Sequence, residues 1–329
     1  MYTSTALALL ERAATDLVCV DAGSAGGVHP RMDAVRGQAR LVGIDADPDE
    51  VARLNAAAGP GERHIHAAVG RPNEEVVLEL HKKRQTSSCF ETEVERVSRF
   101  HDPGRYWADG ELAMKTRSLD DICAAEGIPR IDFLKVDVEG LELAVLEGFS
   151  GPLLAAEVEI SFHPFRRNAP LFDEIMKHMR DRGFMLLDLR RTYWTPTRVT
   201  AVRNHRGKGL LMFGDALFLI DPFLERNHQI LASADARARY LALLCLYGYA
   251  PEALMVVDTL TESGVMPREE GVADARLIER HSSRRLPVGP WLRVRRLMAL
   301  VERFVKWPTA VRSGLALTEF YQGDGPLGN

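Results

Sequence analysis

Ile131-Asp132-Phe133-Leu134-Lys135-Val136-Asp137-Val138-Glu139-Gly140-Leu141-Glu142 reads as a buried strand that runs out into three carboxylates, Asp137, Glu139 and Glu142, set around one glycine. The run 131–138 is β-branched and aromatic, yet it holds a lysine and two acids. A central parallel strand is covered by helices on both faces and is ordinarily apolar along its length. Ionised groups at its carboxyl end cost free energy unless they are paired or functional. Open α/β sheets bind their ligands at that end. The stretch therefore predicts a parallel sheet with a site on its carboxyl rim.

Outward from it, strand-like and helix-like segments alternate from residue 17 to about 160, the pattern of an α/β domain with a mostly parallel sheet. Strands are expected over 17–21, 39–45, 64–69, 131–138, 153–160 and 183–189, with 215–220 completing the sheet. Helices are expected over 30–36, 118–127, 141–147 and 171–182. Another opens at Asp47-Pro48-Asp49-Glu50, with Asp47 as cap, proline in the first turn and acids at the positive helix end. Residues 71–117 break the rhythm: 75–80 suits an edge strand and 85–110 is polar and rich in turn formers. A loop this long is more often functional than idle. Beyond Asp221-Pro222 no strand pattern returns, and 237–247, 251–263 and 288–307 have helical spacing. The expected layout is a catalytic-type domain over 1–222, with 71–117 as a variable substrate region, and a helical extension over 223–329.

With 329 residues, one large and one small unit is the natural division. An apolar content of 46% supports a sizeable core, and a net charge of −4 does not point to nucleic acid. Four scattered cysteines (Cys19, Cys89, Cys123, Cys245) show neither CxxC nor metal spacing, as a reducing compartment would leave them. Ala6-Leu7-Ala8-Leu9-Leu10 lacks a preceding basic residue and is cut short by Glu11-Arg12, too little for a signal peptide. No run approaches the roughly 20 apolar residues of a spanning helix. A cytoplasmic protein is expected.

Two further features carry chemistry. Val20-Asp21-Ala22-Gly23-Ser24-Ala25-Gly26-Gly27 follows the first strand, and its glycines let backbone approach a ligand closely. Gly43-Ile44-Asp45-Ala46-Asp47-Pro48 ends the second strand about 20 residues later, where an acid can accept both hydroxyls of a ribose. Asp45 is the candidate, since Asp47 is needed as the cap. Together they point to a nucleoside cofactor. The glycine spacing does not fit the G-x-G-x-x-G of hydride enzymes. Asp21 at the loop entrance suits a cofactor with a positively charged amino group and sulfonium, which tilts the reading to S-adenosylmethionine.

At these residues the chain resembles the FkbM-type S-adenosylmethionine-dependent methyltransferases. The resemblance rests on VDAGSAGG (20–27), GIDADP (43–48), HAAVG (66–70) and above all TRSLDDICAAEGIPRIDFLKVDVEGLELAVLEGF (116–149). It covers about 17–165 and fades through 220. It implies a Rossmann-like sheet of seven strands, the last one antiparallel. It also implies that Asp21, Gly23 and Gly27, with Ser24 in the same loop, hold the cofactor's methionine part. Asp45 would hold its ribose, Ala68 would lie near the adenine, and Asp137 would face the methyl group. The family commonly has asparagine where this chain has Ala25, which removes one polar contact from the loop.

In Glu157-Val158-Glu159-Ile160-Ser161-Phe162-His163-Pro164 the alternation of a strand puts Glu157 and Glu159 on one face, with His163 past its end. In the family's architecture this end neighbours that of 131–138, so Asp137, Glu139, Glu159 and His163 could converge as the catalytic set. A histidine beside a carboxylate can take the proton of an attacking sugar hydroxyl. The same oxygens could hold a hard divalent cation, although no residue pattern assigns a metal. His163 could equally cap backbone groups in a loop, and Glu139 and Glu142 could be helix-start acids. In-line methyl transfer draws much of its acceleration from positioning, so a base need not be essential. Ser87 or Ser88 could touch cofactor or acceptor, and Tyr106 and Trp107 could stack on a sugar or anchor the loop.

Finally, 280–312 carries eight arginines and Lys306 against the lone acid Glu302. A helix over 288–307 could lie on an anionic membrane surface or pack its apolar stripe on the protein. The expected activity is methylation of a hydroxyl on a glycan, glycolipid or secondary metabolite, with oligomeric state left open. The rivals are a methyltransferase-fold scaffold that has lost catalysis and associates through its helical extension, and a nicotinamide oxidoreductase.

Overall fold

The computed structural model describes residues 2–100, 102–197, 209–282 and 321–323. In chain order the elements are α1 (Tyr2–Ala13), β1 (Leu17–Ala22), β2 (Ala39–Asp45), α2 (Pro48–Ala57), β3 (Glu62–His66), β4 (Ala68–Val69), β5 (Glu75–His81), α3 (Val94–Val97), β6 (Ala108–Arg117) and α4 (Leu119–Ala125). There follow β7 (Phe133–Val136), α5 (Glu142–Glu147), β8 (Ala155–Ser161), α6 (Phe172–Asp181), β9 (Phe184–Trp194), β10 (Leu210–Ile220), α7 (Ala234–Leu246), α8 (Ala250–Glu262), α9 (Arg268–Ser282) and β11 (Tyr321–Gly323).

The main sheet runs β11-β9-β10-β8-β7-β1-β2-β3. Strands β3, β2, β1, β7 and β8 are parallel, and β10 inserts antiparallel between β8 and β9. Apart from the three-residue edge strand β11, this is the expected seven-stranded Rossmann-like sheet with an antiparallel final strand. β1 lies between β2 and β7, so the strand order reverses there. A crevice opens between the carboxyl ends of strands at such a reversal, and the glycine loop leaves β1 into it.

The core is apolar along the central strands: Val18, Val20, Leu41, Val42, Phe133, Leu134, Ala156 and Val158 are all buried. Asp132 interrupts this pattern for a structural reason. Its carboxylate accepts the Val18 N–H at 2.8 Å, which replaces a ladder bond, and it pairs with Arg130 and with Arg239 of α7 at 3.0 and 2.8 Å. This starts β7 later than the apolar pattern suggests.

Helices α7 and α8 form where helical spacing placed them, and Ser233 caps α7 by accepting the Ala236 N–H. They share one continuous core with the sheet, in which Leu9, Leu10, Leu17, Leu241, Leu244, Val256 and Val257 are buried together. The Tyr240 hydroxyl donates to the Ile220 carbonyl at 2.7 Å, tying this layer to β10. α1 and α9 were not foreseen. Both pack in that layer, where Arg12 pairs with the buried Asp274. The basic stretch 288–307 lies outside the described residues, so neither a membrane nor a packing role for it is tested. Among the described residues no helix is long and apolar enough to cross a membrane.

Three local expectations are corrected. Residues Pro30–Gln38 form a 3₁₀ helix rather than an α-helix, with a proline at the start and Gly37 near the end. The strand expected over 64–69 divides, because the Ala67 N–H closes on the Asp45 carbonyl at 2.9 Å and the chain then leaves the sheet. Its second part, β4, pairs with β6, and β5 pairs with β6 along its length. The 71–117 excursion thus supplies two strands, β5 and β6, that form a separate three-stranded sheet with β4, not a loop with an edge strand.

Candidate active site

A cleft of about 980 Å³ lies over the carboxyl ends of β1, β2 and β7. One end is built from the glycine loop. The Gly23 N–H donates to the Ile44 carbonyl at 2.9 Å, and the Asp137 N–H to the Ala22 carbonyl at 3.0 Å, so the loop is sewn to both neighbouring strands. Gly23 has φ +88°, and a Cβ there would sit 1.8 Å from the Asp137 carbonyl oxygen, so only glycine fits. At Gly26, with φ +92°, a Cβ would meet nothing within 4 Å: this backbone faces open space. The Gly26 N–H is held by Glu50, which also pairs with Arg53.

Gly23, Ala25, Gly26, Asp45 and Ala68 line this end, beside Ala67 and Val69. Asp45 accepts the Asp47 N–H at 2.9 Å, and burial raises its pKa. Asp21, Ser24 and Gly27 do not line the cleft. Asp21 lies beneath the loop, accepts the His29 N–H at 2.7 Å, and is pushed up to about 6 by burial despite the attraction of Lys135. Ser24 is buried below the loop, its Oγ against Gly43.

The other end gathers acids. Asp137 pairs with Lys135 at 2.8 Å and keeps 37% of its side chain exposed. Glu139 adopts φ +57°, a left-handed conformation that costs a non-glycine residue about 1 kcal/mol. Its carboxylate is paired with the buried Arg166, and its carbonyl accepts the Ser88 hydroxyl at 2.5 Å. Glu142 is buried and accepts the N–H groups of Val138 and Gly140 at 3.1 and 2.9 Å, so it holds the turn. Oxygens of Asp137, Glu139 and Glu159 lie within 4.8 Å of one another. Lys135 and Arg166 already balance two of these acids. Burial first, then the charges of Asp137, Glu139 and Glu142, raises the pKa of Glu159 well above the carboxylate range. Glu139 is also raised by burial, with Arg166 opposing.

His163, which sequence reasoning grouped with these acids, is not among the residues lining the cleft; its carbonyl accepts the Phe165 N–H at 2.8 Å. Ser87 and Tyr106 line the cleft, whereas Ser88 braces the acidic turn from below. Trp107 is 44% exposed under the Lys82 ammonium and is not part of the lining. Sequence reasoning missed Arg166, one of two adjacent arginines, whose partner is 27 positions away. It also missed the apolar wall of Leu78, Leu80, Leu112 and Met114, presented by one face of the β5–β6 ribbon. The alternation in 75–81 was a usable signal for that wall. Gln85, Thr86, Arg84, Arg105, Phe165 and Phe213 complete the acid end. A second hollow, of about 550 Å³, opens by α1 and the amino end of β2, far from these groups.

Residues 27–186 match the family described as the methyltransferase FkbM domain. The 2-O-methyltransferase NoeI of Sinorhizobium fredii is 28% identical over 148 residues, which cover 43% of this chain and 60% of that protein. The hexuronic acid methyltransferase AglP of Haloferax volcanii is 28% identical over 193 residues, covering 54% and 73% respectively. The chain therefore spans less than two thirds of the first of these relatives. Among solved structures, the magnesium protoporphyrin IX methyltransferase of Synechocystis PCC 6803 aligns at 10% identity over 67% of this chain and 78% of that one, with a TM-score of 0.33. A likeness that weak carries no argument below.

Proposed function

We propose, from the match of residues 27–186 to the methyltransferase FkbM domain, that this chain transfers a methyl group from S-adenosylmethionine to a hydroxyl of a sugar, borne on a glycan, glycolipid or secondary metabolite. The observation that carries the reading is the continuity of one cleft, from open glycine backbone and Asp45 at one end to Asp137, Glu139 and Glu159 at the other. The names of the two relatives, a 2-O-methyltransferase and a hexuronic acid methyltransferase, support a sugar hydroxyl as acceptor.

The residues fit such a cofactor. Gly26 presents exposed backbone with room around its Cα, its N–H held by Glu50, and Asp45 stands where a ribose diol would find its acceptor. Ala68, between Ala67 and Val69, gives the cleft an apolar lining that would suit a purine. When bound, S-adenosylmethionine supplies a methyl group activated by the adjacent sulfonium. Asp137, steadied by Lys135, would offer that positive centre a carboxylate. Tyr106, Gln85 and Ser87 line the cleft and would orient the sugar, and such positioning can supply much of the acceleration. Glu159, with Glu139 as its neighbour in the acid pair, would take the proton of the acceptor hydroxyl. A positive charge arriving beside these acids lowers their pKa values and frees the accepting carboxylate. The catalytic unit is drawn over 1–222, with 71–117 as its substrate region and 223–329 as the helical extension.

The test is transfer of labelled methyl from S-adenosylmethionine to a panel of sugars with and without a blocked 2-hydroxyl or carboxylate. Incorporation into at least one free-hydroxyl sugar is expected. Label reaching only nitrogen acceptors would overturn the assignment.

A further inference from the structure

The glycine loop is held from the front by Glu50, but its far end is gripped from behind by the helical layer. His29, at the exit of the loop, points its Nε2 at Glu157 Oε1, 3.3 Å away. The other oxygen of Glu157 accepts the hydroxyl of Tyr247 at 2.7 Å. Tyr247 closes the carboxyl end of α7 and is buried, with its ring 5.8 Å from that of Phe133. The Arg31 guanidinium lies 4.4 Å over the same ring and donates to the Leu246 carbonyl at 3.3 Å. The backbone N–H of His29 in turn fixes Asp21 at the root of the loop. None of Tyr247, Glu157 or His29 lines the cleft.

We propose that Tyr247 is a positioning residue: through Glu157 and His29 it sets the conformation of the glycine loop, and so the affinity of the cleft for its cofactor. The proposal rests on the cofactor reading above. Residues 23–28 contain three glycines and have few conformational restraints of their own. Their shape is therefore decided by how their two ends are pinned. One end is pinned by the sheet, through the Gly23–Ile44 bond. The other is pinned by a buried, charge-assisted chain whose last member belongs to α7. The helical layer thereby becomes part of the binding apparatus.

Titration calorimetry with S-adenosylhomocysteine tests this on the full chain, comparing wild type, Tyr247→Phe and Tyr240→Phe. Tyr240 donates a comparable buried hydrogen bond from the same helix, but to Ile220 of β10 rather than to the chain that reaches the loop. Both variants are expected to melt at lower temperature. Only Tyr247→Phe is expected to weaken binding, by about tenfold. Glu157→Gln, which keeps the tyrosine bond and weakens the histidine link, is expected to fall between, and it decides the matter if Tyr247→Phe does not fold. Wild-type affinity in Tyr247→Phe or, should that variant not fold, in Glu157→Gln, or equal weakening in Tyr240→Phe, would overturn the proposal. A wild-type protein that fails to bind would instead overturn the cofactor reading itself, so the two failures are distinguishable.

Discussion

Glu159 and Asp45 stand at opposite ends of the cleft and make separable predictions. Among the described residues Glu159 makes no ion pair, unlike Asp137 and Glu139, so it is the acid best placed to gain a proton. Glu159→Gln should lower kcat by about tenfold to a hundredfold, toward the low end of general-base effects, with cofactor affinity held within about threefold. Steady-state kinetics beside cofactor titration reads this directly; loss of affinity with unchanged kcat would remove Glu159 from the chemistry. His163→Ala should stay within about twofold of wild type on the same assay, because the residue lies outside the cleft. Here the limit of sequence reasoning is visible. Strand alternation put Glu157 and Glu159 on one face, yet Glu157 serves the buried link to His29 while Glu159 looks into the cleft. Periodicity assigns a face and says nothing about depth along it.

At the scale of elements, the decisive contact is the closure of β1 on β7. Gly23→Ala puts a methyl against the Asp137 carbonyl in a left-handed conformation, and the strand end has no room to move aside. A loss of more than about 3 kcal/mol is expected, combining strain and overpacking. Denaturant unfolding checks it, and a change within about 0.5 kcal/mol would mean that the loop is not seated as described. The strands and most helices were legible because they follow simple rules: β2 and the Asp47 cap sit where alternation and capping chemistry placed them. The β5–β6 ribbon was only half legible. Its pairing joins residues some 30 to 40 positions apart across a polar stretch, and such long-range pairing has no local signature. α1 and α9 escaped notice because their burial depends on a helical layer completed from both ends of the chain.

For the whole molecule, the raised acids make stability depend on pH in an unusual sense. Unfolded carboxylates titrate near pH 4. In the folded protein Asp21 titrates at about 6, and Glu139 and Glu159 are also displaced upward, by burial above all. The native state therefore holds protons that the unfolded chain has released, so this contribution is complete below about pH 4 and is lost as pH rises through the folded values. Glu157 and Glu50, both lowered to about 2, act in the opposite sense but lose their contribution only in strong acid. Without cofactor, the melting temperature should fall between about pH 5 and 7.5, and Glu159→Gln should flatten the fall. A melting temperature that climbs over this range in both proteins would contradict the account of the acid cluster.

The central claim is that a sulfonium nucleoside sits in the cleft between the glycine loop, Asp45 and Asp137. Titration of the wild type and Asp45→Ala with S-adenosylhomocysteine measures this most directly. One site per chain is predicted for the wild type, weakened at least tenfold in Asp45→Ala, about 1.4 kcal/mol or more. No heat of binding from the folded wild type, or equal affinity in the two proteins, would contradict it.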